Sequence, residues 1–308
     1  MVTLQSLLSE PESRFLGAEG IEALPAAKAV ALGLVWEMGG NVFHPGASSA
    51  PDAIRAQSQR LDRYFPAFSD VDAIEALGLV DCGSVVGGDG DFADAATRIE
   101  HAVTILAREG YRILSFGGDG SVTLPQLRAW GPVSSDLVVL HFDAHTDAYP
   151  LPGPGKHTTA TTFTHAAQEK VIDPSRCMHI GMRGTVSVAD VAEYGRGLGF
   201  EIIDDAELRR DGLAAVMDLV KEFAGRAPVY VCWDMDIFDP SCAPGVCDPT
   251  WGGLSAAEGL GILQALAGLD IVALDINTVV PDSDIRDMTA NLAATVALAG
   301  LHLFRRAV

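Results

Sequence analysis

Basic residues are scarce in this 308-residue chain: 21 Lys and Arg stand against 41 Asp and Glu, a formal charge of −20. Nucleic acids and anionic membrane surfaces both call for clustered cations, so neither is expected as a partner. The same imbalance suits a cationic substrate. Cysteine is sparse too. The five (Cys82, Cys177, Cys232, Cys242 and Cys247) are odd in number and lack the paired spacing of a zinc knot. Cys177 and Cys232 fall in apolar, strand-like runs, where reduced core cysteines belong, and a cytoplasmic location is the expectation. Long apolar runs are missing as well. Glu10, Glu12, Arg14 and Glu19 interrupt the first twenty residues, unlike a signal sequence. The most apolar stretch, 290–304, carries Asn291, Thr295 and His302 and is too short and polar to span a bilayer. No linker-like break and no internal repeat is visible, so one domain over residues 1–308 is expected.

What the chain has in quantity is apolar sequence, 48% of its residues. Strand-like runs at 29–35, 80–86, 112–116, 136–140, 178–182, 200–203, 228–233 and 271–276 alternate with helical spacing at 53–61, 91–108, 121–130, 161–170, 188–195, 206–225, 256–266 and 288–304. The strands are apolar throughout rather than alternating. Strands of that kind in alternation with helices predict an α/β fold, a mainly parallel sheet covered by helices on both faces. Ligands of such folds bind beyond the carboxyl ends of the strands.

Two acidic clusters sit at such ends. In His141-Phe-Asp-Ala-His-Thr-Asp147, Asp143, His145 and Asp147 are spaced by two, so an extended backbone throws them to one side. Asp234 and Asp236 follow the apolar run 228–232. Five oxygen and nitrogen ligands without a thiolate suit divalent Mn, Ni, Fe, Co or Zn better than a structural zinc site. His141, in the first cluster, is taken to point away from Asp143. His44, His101, His165, His179 and His302 lack ligand spacing and are read as packing or surface residues.

Three segments in order, Phe116-Gly-Gly-Asp-Gly-Ser-Val-Thr-Leu-Pro125, His141 to Asp147, and Trp233-Asp-Met-Asp-Ile-Phe-Asp-Pro240 with Ala243-Pro-Gly245, resemble the ureohydrolase superfamily, its agmatinase-like branch above all. Pro51-Asp-Ala-Ile-Arg55, Ile180-Gly-Met-Arg183, Gly252-Gly-Leu-Ser255 and Asp275-Ile-Asn277 extend the resemblance over most of the chain. It implies a three-layer α/β/α sandwich of the arginase type in trimers or hexamers, and a two-metal site, Mn or Ni, that cleaves a guanidino C–N bond to urea and an amine. By the same resemblance Asp143 and Asp234 bridge the metals, His145 and Asp236 complete one, and Asp147 belongs to the other.

The chain departs from the family pattern in three places. Gly120 stands where the Gly-Gly-Asp-His-Ser motif has a metal-binding His, so one well-formed metal site and one weakened site are expected. Thr159 stands four residues before Phe163, where a proton-shuttling His is usual; His157 is carried as a relocated shuttle. Asp275 is aligned with a substrate-gripping Glu and could still pair with a guanidinium. Taken together these changes favour a ligand-depleted subunit that supports an active ureohydrolase paralogue in a hetero-hexamer, as in hydrolases of guanidine-type drugs such as metformin. The alternative is a self-sufficient agmatinase-like or guanidine amidinohydrolase, alone or as a homo-hexamer. Either way the small-molecule partner is a cationic guanidino compound.

Overall fold

The computed structural model describes residues 3–38, 42–86 and 91–306, so residues 39–41 of the Gly- and Pro-rich loop expected at 39–51 lie outside the described residues. A nine-stranded sheet runs through the molecule. Its strands are β1 (Leu8–Ser9), β2 (Ala29–Val35), β3 (Val80–Val86), β4 (Arg112–Phe116), β5 (Val138–Phe142), β6 (Cys177–Met182), β7 (Glu201–Asp204), β8 (Pro228–Asp234) and β9 (Asp270–Asn277). They are ordered β1-β3-β2-β4-β9-β8-β5-β6-β7, and every pairing is parallel except the short edge strand β1 against β3. The expected α/β/α sandwich with a mainly parallel sheet is what the chain forms.

The period of two along each strand feeds two separate cores. Ala29, Ala31, Leu114, Val138, Leu140 and Phe142 face one side, packed on helices α1 (Ala50–Ser58), α8 (Leu213–Ala224), α9 (Ala256–Ala265) and α10 (Met288–Arg306). Val30, Leu32, Ile113 and Val139 face the other, against α3 (Phe92–Arg108), α4 (Thr123–Trp130) and α5 (Thr162–Gln168). Helix α3 shows why the helical spacing was legible. Asp91 caps it by accepting from the amides of Ala93 and Asp94, and Ala95, Ile99, Val103 and Leu106 form its buried stripe. Among the described residues no helix is long and apolar enough to cross a membrane.

Three local features differ from the sequence reading. The helix expected over 206–225 is two, α7 (Asp205–Asp211) and α8, because Gly212 takes φ +82° between them. A short helix α2 (Ala73–Leu77), capped by Asp72, went unpredicted; one and a half turns carry too little periodicity to read. Strand β1 is two residues long and has no period at all.

Order among β2, β3 and α1 depends on one buried ion pair. Arg55 is fully buried; its Nε and Nη2 donate to the two carboxylate oxygens of Asp81 at 2.9 and 2.8 Å, and Nη1 donates to Ser84 Oγ at 2.8 Å. Only glycine fits at position 33 beneath it, since a Cβ there would lie 2.2 Å from Ser84 Oγ and 2.9 Å from Arg55 Nη1. Removing one partner of such a pair strands the other charge. Arg55→Met is therefore expected to destabilise the protein by about 3–5 kcal/mol, read as a lower urea midpoint with an unchanged slope; a shift below about 1 kcal/mol would contradict this account.

Candidate metal centre

The four central strands β4, β9, β8 and β5 end side by side, and their carboxyl ends deliver the acids. Asp143, His145 and Asp147 follow β5, Asp234 and Asp236 close β8, Asp119 and Gly120 follow β4, and Thr278 follows β9. All of them line one cleft, together with Val42, Thr159, Cys247 and Asp248. The cleft has room, about 20 Å³, for ions or water. Among the described residues that line it, six are aspartates and none is Lys or Arg.

Asp143, Asp234 and Asp236 are each held by neighbours that donate to them. Asp143 Oδ1 accepts from its own loop at His145 N (2.5 Å), and its Oδ2 lies 2.9 Å from His141 Nε2. His145 Nδ1 sits 3.3 Å from Asp143 and 3.0 Å from Asp236, while its Nε2 meets Thr250 Oγ1 at 3.4 Å. Asp236 accepts from Ala144 N at 3.0 Å, and Asp234 accepts from Asp236 N at 2.8 Å and from the Thr278 hydroxyl. Arg183 ties the loop down from below, its Nη2 donating to the carbonyls of Asp236 (2.6 Å) and Thr250 (2.8 Å). Two cleft residues are held in left-handed backbone conformations, Asp147 at φ +48° and Thr278 at φ +66°.

Burial, then the charge of neighbouring carboxylates, pushes Asp143, Asp147 and Asp234 well above the usual carboxylate range. Burial opposes charge on His145 too, but Asp236 and Asp143 outweigh it and hold the imidazole well above its ordinary value. Burial would also raise Asp236, yet His145 keeps it below the carboxylate range. His145, with the Arg183 guanidinium nearby, is thus set against several buried acids. That is an arrangement short of positive charge, and the donor set supplies what a divalent cation needs. Asp143, His145 and Asp236 converge with ligand atoms within 4.8 Å of one another; His141, Asp143 and Asp147 form a second such group, and Asp234 borders the same space. Oxygen donors with imidazole fit Mn or Ni among other divalent ions.

The placements refine the sequence reading. Asp143, His145, Asp147, Asp234 and Asp236 come together as a group. Gly120 opens into the cleft, where a Cβ would lie 3.0 Å from Asp147 Oδ2, so the missing side chain is missing beside Asp147. Thr159 lines the cleft; His157 does not. His157 stacks on His165 at 3.8 Å and packs against Phe92 at 4.8 Å, because the loop before Thr159 runs out over α3. It is not placed to serve as a shuttle.

Asp275 is also outside the cleft. It lies inside β9, fully buried, accepting from Thr123 Oγ1 (2.7 Å), Tyr230 Oη (3.0 Å) and Ser115 Oγ (3.1 Å), and burial raises its pKa. The residue beyond that strand's end that does reach the cleft is Thr278, which sequence reasoning missed by three positions. His141 is a further correction. Two residues from Asp143 on extended backbone, it shares Asp143's side and touches it, rather than pointing away. Asp119 and Asp248 were also missed. Asp119 at least sits in the Gly-Gly-Asp segment; nothing in the sequence around Asp248 marks it.

Comparison with known proteins adds to this geometry. Residues 27–302 match the model of the arginase family. The chain is 40% identical over 261 residues to an agmatinase of Neisseria meningitidis, covering 84% of this chain and 81% of that protein. It is 38% identical to an agmatinase of Photorhabdus laumondii over 84% of this chain and 81% of the relative. Among solved structures, the proclavaminate amidino hydrolase of Streptomyces clavuligerus superposes with a TM-score of 0.87 at 30% identity, over 98% of this chain and 99% of that one. The arginase of Bacillus caldovelox, at 23% identity and a TM-score of 0.76 over 90% and 98% of the chains, shares the fold.

Mutual repulsion in the cleft has a measurable sign. In metal-stripped protein Asp147→Asn removes one buried like charge and is expected to raise stability by on the order of 1 kcal/mol. The same substitution should weaken Mn²⁺ binding, measured by calorimetric titration. A variant that is both less stable when stripped and equally good at binding Mn²⁺ would contradict the assignment of Asp147.

Proposed function

The chain belongs to the arginase family, and on that footing we propose that it is a self-sufficient, metal-dependent amidinohydrolase that splits a cationic guanidine into urea and an amine. The observation that carries the substrate class is the cleft lining: six aspartates and no Lys or Arg among the described residues. A guanidinium finds complementary charge there. A carboxylate on the substrate close to the guanidine would find none, so an amine-tailed or neutral-tailed guanidine such as agmatine fits better than a guanidino acid.

Asp143, His145, Asp147, Asp234 and Asp236 would hold the divalent metal. Divalent metal bound there would supply positive charge and activate water for attack on the guanidinium. The chain's own groups do the rest. Thr278 orients Asp234 through its hydroxyl, Arg183 fixes the carbonyl of Asp236, and Asp248, half-buried at the mouth with its Oδ1 held by Phe43 N at 2.8 Å, offers a carboxylate to the cation. Thr159 places a hydroxyl where the family resemblance implies an imidazole, so the departing amine takes its proton from another source than a shuttle at that position.

Relatives that are agmatinases along most of their length support the self-sufficient reading over the paralogue-dependent one. One observation favours the latter: Gly120 leaves the position beside Asp147 without a side chain. Both readings meet the same assay. The purified chain, loaded with Mn²⁺ or Ni²⁺, is expected to release urea from agmatine in preference to arginine, guanidine or metformin. No urea from any of them, with activity restored by a co-purified ureohydrolase paralogue, would overturn the proposal in favour of the supporting subunit. Asp236→Asn is expected to lower kcat by at least about 10²-fold, measured as urea release at saturating agmatine.

A further inference from the structure

We propose that His141 and His179 form a buried imidazole relay that grips the second oxygen of Asp143, which makes both of them positioning residues of the metal centre and leaves His141 unable to serve as a ligand. The proposal rests on the reading of Asp143 as a metal ligand.

Register explains why the two rings meet. Strands β5 and β6 are parallel neighbours with His141 directly paired to His179, so both side chains leave the same face of the sheet. Their Nδ1 atoms lie 2.8 Å apart, and His141 Nε2 lies 2.9 Å from Asp143 Oδ2. Both residues are buried, at 2% and 1% exposure. Phe163 and Phe200 pack edge-on against the His179 ring, each at 4.8 Å, and Phe163 also lies 4.5 Å from His141. Among the described residues His179 Nε2 has no hydrogen-bond partner.

The protons can be placed by elimination. At 2.8 Å the two Nδ1 atoms share one proton; two would collide and none would leave two lone pairs opposed. If that proton belonged to His141, its Nε2 would turn a lone pair on the Asp143 carboxylate unless Asp143 itself were protonated. His179 would then carry its proton on Nε2, buried among phenyl rings with no acceptor. If the proton belongs to His179, its Nδ1–H donates to His141 Nδ1, and His141 Nε2–H donates to Asp143. Only a bare ring nitrogen is then left without a partner. The second arrangement gains a charge-assisted bond and avoids an orphaned N–H, so it wins by a wide margin.

Two consequences follow. With its Nε2 proton committed, His141 has no lone pair for a metal, although its nitrogen falls within 4.8 Å of ligand oxygens on Asp143 and Asp147. It therefore does not replace the nitrogen ligand lost at Gly120. His179, which does not line the cleft, sets the tautomer of His141 and through it the direction of the Asp143 carboxylate.

The test uses the full chain, stripped of metal. Ring-nitrogen NMR on histidine-labelled protein is expected to show His141 as the Nε2–H tautomer and His179 as the Nδ1–H tautomer; the reverse assignment would overturn the relay whatever the metal does. Calorimetric titration with Mn²⁺ is expected to show His179→Phe, which fits the aromatic surround but cannot donate, binding about 10- to 100-fold more weakly. His179→Gln, whose amide can donate, should recover most of that loss. Wild-type affinity in His179→Phe, or equal loss in both variants, would sink the proposal. If wild-type protein binds no Mn²⁺ or Ni²⁺ at all, the metal-centre reading fails instead, and the NMR assignment still decides the relay.

Discussion

Like charges crowded at the buried ends of four adjacent strands set the terms for the rest of this molecule. Two carboxylates about 4 Å apart repel by roughly 4 kcal/mol at an effective dielectric of about 20, and the cleft holds several. The fold must therefore over-determine their positions. It does so with backbone amides from within the ligand loops, with the Thr278 hydroxyl, and with Arg183 gripping carbonyls from beneath. The sheet order matters for the same reason. Only because β4, β9, β8 and β5 are neighbours do loops distant in sequence converge on one space.

Buried acids meet three different fates in this chain. Asp81 is paired in full with Arg55, and the pair locks α1 onto β2 and β3. Asp275 has no cation but sits in a cage of hydroxyl donors from Ser115, Thr123 and Tyr230. The cleft aspartates lack a full ion pair. Donors orient Asp119, Asp143, Asp234 and Asp236, and among the described residues His145 and the Arg183 guanidinium are the cationic groups set against them. This contrast, more than the count of acids, separates a binding site from a structural network.

Much of this was legible in the sequence because its signals are local. Apolar runs gave β2, β3 and β4 to the residue, and spacing by two gathered Asp143, His145 and Asp147. Gly120 and Thr159 were also readable as departures, since each is an offset within a motif. The failures share a cause: they depend on where a strand stops or which way a loop turns. Asp275 lies before the end of β9 and Thr278 beyond it, a boundary that an apolar run does not mark sharply. His157 is close to Thr159 in sequence but carried away by the loop's path. His179 gains its role only through register with β5, and no motif records register. The expectation of a supporting subunit rested on Gly120, Thr159 and Asp275. Asp275 leaves that count because it lies caged inside β9, while Gly120 and Thr159 remain at the cleft.

The left-handed backbone at Asp147 and Thr278 carries a cost that the rest of the fold must sustain. A non-glycine residue held there gives up on the order of 1–3 kcal/mol, and a β-branched threonine is among the residues least suited to it. Both strained positions flank the crowded carboxylates, so repulsion and backbone strain meet in the same loops, while the sheet beneath is held by parallel pairing interrupted by register shifts between β2 and β3, β6 and β7, and β8 and β9. Stability is then unevenly distributed: the loops are the low-lying unit of local opening and the sheet the high one. The site can come apart while the protein remains folded, which makes an intact circular-dichroism spectrum a poor witness to an intact centre.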